Sequence, residues 1–148
     1  MEKNQIIDTL KSLMQLDVDA SHAYDQAIKR VDESDADIKS QLEVYQGDHD
    51  RHVERLADLI RQQGEEPPKV SPDLSGFLIE GFTALRSMMG TDGALKAMEG
   101  NEKLTNKKYS NAHGLDLPQE IKTVIDENYD DEKRHLQYIQ EKLSVYAR

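Results

Sequence analysis

Residues 121–139 read IKTVIDENYDDEKRHLQYI. Ile121, Ile125, Asn128, Glu132, His135 and Ile139 follow one another at steps of three and four. That rhythm marks the inward seam of a helix in a bundle. Two seam positions, Glu132 and His135, are ionisable where the pattern demands core residues. Residues three apart share one helix face about a turn apart. The pair therefore presents a carboxylate and an imidazole side by side to the interior.

The same rhythm recurs three times upstream. Residues 4–31 carry Ile6, Leu10, Leu13, Asp17, Ala20, Tyr24, Ala27 and Val31. Residues 36–62 carry Ile38, Leu42, Tyr45, His49, His52, Leu56 and Leu59. Residues 92–112 carry Leu95, Met98, Glu102, Thr105, Tyr109 and Ala112. The last helix spans 118–146, with Pro118 in its first turn. Ser34 and Thr91 are the expected caps of the second and third helices. Gly64 and the following Glu65-Glu66-Pro67-Pro68 stop the second. Residues 63–91 form a crossover with a short amphipathic helix, Leu74 to Met89, ending at Gly90. Such a crossover brings the third helix parallel to the second. The expected architecture is all-α, a single domain over residues 1–148, an up-down four-helix bundle with one long crossover.

Six ionisable residues interrupt the stripes near mid-helix: Asp17, His49, His52, Glu102, Glu132 and His135. All are metal-ligand types, and two Glu-x-x-His-like pairs plus two single carboxylates can converge on two metals in a bundle core. Without compensation, burying them would cost several kcal/mol each, against a typical domain stability of about 5–15 kcal/mol. The two halves also repeat. Asp17 to Tyr24 and Glu102 to Tyr109 are both seven residues, and Asp48-His49-Asp50-Arg51-His52 parallels Asp131-Glu132-Lys133-Arg134-His135.

Composition narrows the function classes. The chain has 148 residues and a formal charge of −10, from 29 acids and 19 bases. An acidic surface repels phosphate backbones, so no nucleic-acid partner is expected. No run of 18 apolar residues exists to span a membrane, and no signal peptide is expected. There is no cysteine, which excludes disulfides, thiolate-bound zinc, iron–sulfur clusters and a rubredoxin-type iron. Nothing points to an oxidising compartment, so the expected location is the cytoplasm.

The pattern resembles the ferritin-like superfamily, and within it the rubrerythrin-related bacterial di-iron-carboxylate proteins, here without a rubredoxin domain. The resemblance spans nearly the whole chain. Glu132-x-x-His135 matches the family's Glu-x-x-His, Asp17 and Glu102 match its single carboxylates, and Tyr24 and Tyr109 match tyrosines that support them. Glu99 resembles an additional carboxylate of rubrerythrins. The chain departs from the family where His49 replaces a bridging glutamate and where Asp17 is one methylene shorter than glutamate. An imidazole does not bridge as a carboxylate does, so one metal, an asymmetric pair or a different metal all stay open. The resemblance implies two iron ions, with manganese or zinc as alternatives. It implies peroxide or dioxygen reduction or ferrous oxidation, with no catalytic residues apart from the metal site. Iron storage without turnover and a metal-poor stress or structural role are the competing readings. Without cysteine, any electron donor is a separate protein. The expected assembly is a homodimer.

Overall fold

A computed structural model describes residues 1–72 and 90–146, and the expected helix from Leu74 to Met89 lies outside them. The described residues form four helices, α1 (Lys3–Ile28), α2 (Ala36–Gln62), α3 (Gly90–His113) and α4 (Gln119–Tyr146), with a 3-10 turn at Glu33–Asp35 and no strand. Contacts between α1 and α2 run in opposite chain senses, as do those between α3 and α4. On α1 and α3, Asp17 meets Tyr109 while Tyr24 meets Glu102, so these helices are antiparallel too. It follows that α2 and α3 are parallel, as a crossover bundle requires.

Local chemistry fixes the ends. Gln5 reaches back to accept from the Glu2 backbone N–H at 3.1 Å and closes the start of α1. Gly64 takes φ +87° after α2. Its N–H donates to the Arg61 carbonyl and that of Glu65 to the Ile60 carbonyl, the paired bonds of a Schellman stop. Gly90 also takes φ +87°, which favours glycine, while a Cβ there would make only ordinary contact with the Asp32 carboxylate at 3.4 Å.

Three expectations shift at the ends. α1 stops at Ile28, and Val31 reaches the core through a turn in which its N–H donates to the Ile28 carbonyl. Ser34 lies inside the 3-10 turn rather than capping α2. The Thr91 hydroxyl accepts from the Asp32 backbone N–H at 3.0 Å and donates to Asp35 Oδ2 at 2.5 Å. It thus ties the α1–α2 turn to the start of α3.

The apolar stripes pack into two separate clusters. One, toward the start of α1, holds Leu10, Leu13, Leu56, Ile60, Ile121 and Ile125. The other, toward its end, holds Ala27, Ile38, Leu42, Leu95, Met98 and Ile139. Between them lies a polar layer in which Asp17, His49, His52, Glu102, Thr105, Asn128, Glu132 and His135 all have no solvent exposure. Among the described residues, no helix is long and apolar enough to cross a membrane.

Candidate metal centre

The six stripe-breaking residues meet in the polar layer. α1 supplies Asp17, α2 supplies His49 and His52, α3 supplies Glu102, and α4 supplies Glu132 and His135. Their donor atoms fall into two groups suited to hold a cation, Asp17–His49–His52–Glu132 and His49–Glu102–Glu132–His135. In the first, Asp17 Oδ1, His49 Nδ1, Glu132 Oε1 and His52 Nδ1 form a closed ring with successive separations of 2.7, 3.4, 3.2 and 3.0 Å. In the second, His49 Nε2, Glu102 Oε1, His135 Nδ1 and Glu132 Oε2 follow at 3.0, 3.3 and 3.6 Å. Donors about 2.1 Å from a tetrahedral metal lie about 3.4 Å apart, so both groups have roughly the right aperture.

Outer partners orient these groups. His52 Nε2 lies 2.8 Å from Asp131 Oδ2, and His135 Nε2 lies 2.8 Å from Asp48 Oδ2. Each outer carboxylate takes the distal N–H and turns Nδ1 toward the centre, the arrangement that fixes the tautomer of a metal-binding histidine. Arg51 holds both acids, at 3.1 Å from Asp48 Oδ1 and 3.1 Å from Asp131 Oδ2, and Arg134 also pairs with Asp131. The Tyr45 ring stacks on His135 with centroids 4.2 Å apart. Tyr109 donates to Asp17 Oδ2 at 2.5 Å and Tyr24 to Glu102 Oε1 at 2.6 Å. Thr105 Oγ1 sits 2.9 Å from both Glu102 Oε2 and Glu132 Oε2.

Protonation follows from this geometry. Burial alone would raise Asp17, but hydrogen bonds and charge from His49 and His52 carry its pKa below the ordinary value. Burial likewise opposes ionisation of Glu102, yet the His49 charge and bonds from His135 and His49 hold it well below. Glu132 differs. Burial raises its pKa, the neighbouring Glu102 charge raises it further, and His49 offsets this only in part. One Thr105 hydroxyl proton cannot serve both carboxylates at once, so one of the two lacks that bond in the metal-free site.

The histidines are pushed the other way. Burial disfavours the charged ring of His49, but Glu132, Glu102 and Asp17 outweigh it and its pKa lies well above normal. Burial also opposes charge on His52 and His135, yet each rises to about 10, the first through Asp131 and Asp17, the second through Asp48 and Glu102. Tyr24 and Tyr109, pushed far up by burial and by the carboxylates they contact, remain donors.

Among the six candidate ligands, one oxygen lacks a hydrogen bond of good geometry. Glu132 Oε1 is fully buried and makes no such bond, although His52 Nδ1 and His49 Nδ1 lie 3.2 and 3.4 Å away. It points into the first ring, beside His49 Nδ1 and His52 Nδ1. A buried carboxylate oxygen with only such poorly aligned contacts is costly, and a cation within the ring would satisfy it. The donor set therefore fits a metal.

Glu99 stands apart from both groups. It is partly exposed, and its nearest charged partner is Lys103 at 3.9 Å. Asp131, Arg51 and Thr105 join the site without having been singled out for it, and Asp48, a candidate to stand in for the bridging glutamate that His49 replaces, instead holds His135 Nε2. The signal for three of them was the repeated Asp-x-x-Arg-His frame at residues 48–52 and 131–135.

Residues 5–114 match the model of a family described as a domain of unknown function, DUF2383. The chain belongs to that family. The matched stretch takes in α1, α2 and α3 and ends before the Glu132–His135 pair on α4. The DUF2383 chain is also similar in structure to a dodecameric thioferritin, the bacterioferritin-related protein from Bacteroides fragilis. The TM-score is 0.82 at 16% identity, over 100% of this chain and 89% of that one. At that identity the likeness establishes a ferritin-like four-helix fold and nothing finer. No functionally curated protein matches the sequence.

Proposed function

We propose that this DUF2383 protein is a two-metal oxidoreductase of the ferritin-like fold, acting on peroxide, dioxygen or ferrous iron. The observation that carries the reading is Glu132 Oε1, buried among Asp17, His49 and His52 without a hydrogen bond of good geometry. Oxygen and imidazole donors without sulfur suit iron or manganese, and zinc as a redox-silent alternative. Asp17, His49, His52, Glu102, Glu132 and His135 hold the ions. When bound, iron or manganese supplies the electrons for reduction of the oxidant.

The chain's own residues do the rest. Asp48 and Asp131 keep the Nδ1 atoms of His135 and His52 facing inward. Tyr24 and Tyr109 hold Glu102 and Asp17 in place and, being protonated, are proton donors within the layer. The apolar clusters on either side exclude stray water from it. Electrons arrive from a separate donor protein, because the chain has no cysteine to hold a second redox centre. The reading keeps the rubrerythrin-like assignment, which rests on the Glu132–His135 pair and the two supporting tyrosines.

The metal-poor structural reading has one observation in its favour. Three imidazoles face three buried carboxylates, so protons alone come close to balancing the charge. Metal analysis of protein purified without chelator separates the two. Near two iron or manganese ions per chain, lost in Glu132→Ala/His135→Ala, supports the oxidoreductase and leads to peroxide and dioxygen assays. Absence of metal after anaerobic ferrous loading overturns it.

Assembly follows the same logic. The thioferritin resembling this chain is a dodecamer, and we propose that this chain also self-associates. Native mass distinguishes the expected homodimer from a shell, and a shell would favour iron storage.

A further inference from the structure

The two donor groups share two side chains, and they share them atom by atom. His49 turns Nδ1 to the group with Asp17 and Nε2 to the group with Glu102. Glu132 turns Oε1 to the first group and Oε2 to the second. Each shared side chain gives one donor to each side.

We propose that His49 bridges two divalent cations through its two ring nitrogens, while Glu132 bridges the same pair through its two oxygens. The inference rests on the two-metal reading above and specifies how the pair is joined. A ring serving one ion alone would keep an N–H on its other nitrogen. That N–H would occupy Asp17 or Glu102, which the other ion needs. Bridging removes the conflict, because a cation replaces a proton at each nitrogen and both protons leave to solvent.

Charge points the same way. Asp17, Glu102 and Glu132 together bring three negative charges to a layer without solvent exposure. A doubly deprotonated His49 brings a fourth, and two divalent ions balance all four. A neutral centre is the least costly one to bury between two apolar clusters.

The bridge sets a distance. Two metal–nitrogen bonds of about 2 Å across an imidazole place the ions about 6 Å apart. Two-metal sites whose ions act jointly on one oxygen atom hold them about 3.5–4 Å apart. Histidine at position 49 therefore makes this a pair of separately acting ions, with substrate engaging one of them.

The test is a crystal structure of the wild-type protein loaded with cobalt(II) alone, with the ions located by anomalous scattering. Two peaks about 6 Å apart, one on each side of the His49 ring, are expected. Two peaks about 3.5–4 Å apart with His49 on one ion only would overturn the bridge and leave the two-metal reading intact. A single peak, or none, would overturn both. In His49→Glu the separation is expected to contract to about 3.5–4 Å with two ions retained. An unchanged separation in that variant would also sink the bridge.

Discussion

His135 on α4 places its Nε2 2.8 Å from Asp48 Oδ2 on α2, and His52 on α2 places its own Nε2 2.8 Å from Asp131 Oδ2 on α4. The relationship is reciprocal across the α2–α4 contact. Each helix lends the other the acid that aims its histidine. Loss of such an outer partner costs metal proteins about 10–100-fold in affinity. Asp48→Asn keeps the shape and removes the charge. It is expected to weaken metal binding by about that factor while leaving the number of bound ions unchanged, as read by chelator competition. Unchanged affinity would mean that His135 is oriented by Tyr45 stacking alone.

A second pair of cross-bonds makes a stability prediction. Tyr109 donates to Asp17 and Tyr24 to Glu102, each at full burial. Phenylalanine at either position leaves a buried carboxylate short of one charge-assisted bond, worth about 1.5–3 kcal/mol. Urea unfolding of metal-free Tyr109→Phe is expected to lose that much. The Asn128 Nδ2 bond to the same hydroxyl disappears with it, which places the Tyr109 variant toward the upper end.

The metal-free protein carries a defined pH signature. His52 and His135 lie near 10 in the fold against 6.5 unfolded. Groups with raised pKa values contribute stability that is complete below about pH 6.5 and is lost as pH rises through about 10. His49, also raised from 6.5, acts over the same range, and Glu132, raised from 4.5, contributes stability that begins to be lost already above about pH 4.5. Asp17 and Glu102, lowered, contribute above their ordinary values and lose stability only as pH falls below them. The melting temperature of metal-free protein is therefore expected to fall steadily from pH 6.5 to 10. Metal binding strips these protons, so the gain on loading should widen over the same range. Calorimetry at several pH values, with and without metal, checks both trends. A gain that narrows toward alkaline pH would contradict the assignment.

The six inward-facing residues were readable because each sits on a stripe where apolar residues belong, so the violation itself was the signal. Asp48 and Asp131 were not readable in the same way. Each lies about 100° around the helix from its stripe neighbour, and Asp131 falls in an acidic run, Asp126 to Asp131, that reads as a solvated face. Only the facing helix reveals their use, since an imidazole buried on one helix extends its distal nitrogen to the flank of the next. The helix termini were harder still. Nothing in the sequence around Val31 separates a helical residue from one held in the core by a turn. The Thr91 hydroxyl has a local partner to suggest but takes distant ones, Asp32 and Asp35. Gly64 succeeded because a positive φ and a Schellman stop are properties of the local chain.

Glu132 offers the sharpest separation of stability from binding. It is the one buried carboxylate here whose pKa is raised and the one with an oxygen that makes no hydrogen bond of good geometry. In the metal-free fold burial and the Glu102 charge oppose its ionisation, so Glu132→Gln should cost the apo protein less stability than the same kind of change at Glu102, whose charge the histidines hold. The same change removes a charge and a donor from both groups, because Oε1 faces His52 and Oε2 faces His135. Metal affinity should then fall at both positions together. The measurement is paired, with urea unfolding of the metal-free variant beside a cobalt(II) titration. A small loss of apo stability with two weakened sites is expected. A variant that loses much apo stability and binds metal normally would show that Glu132 is a packing residue and that the cation lies elsewhere.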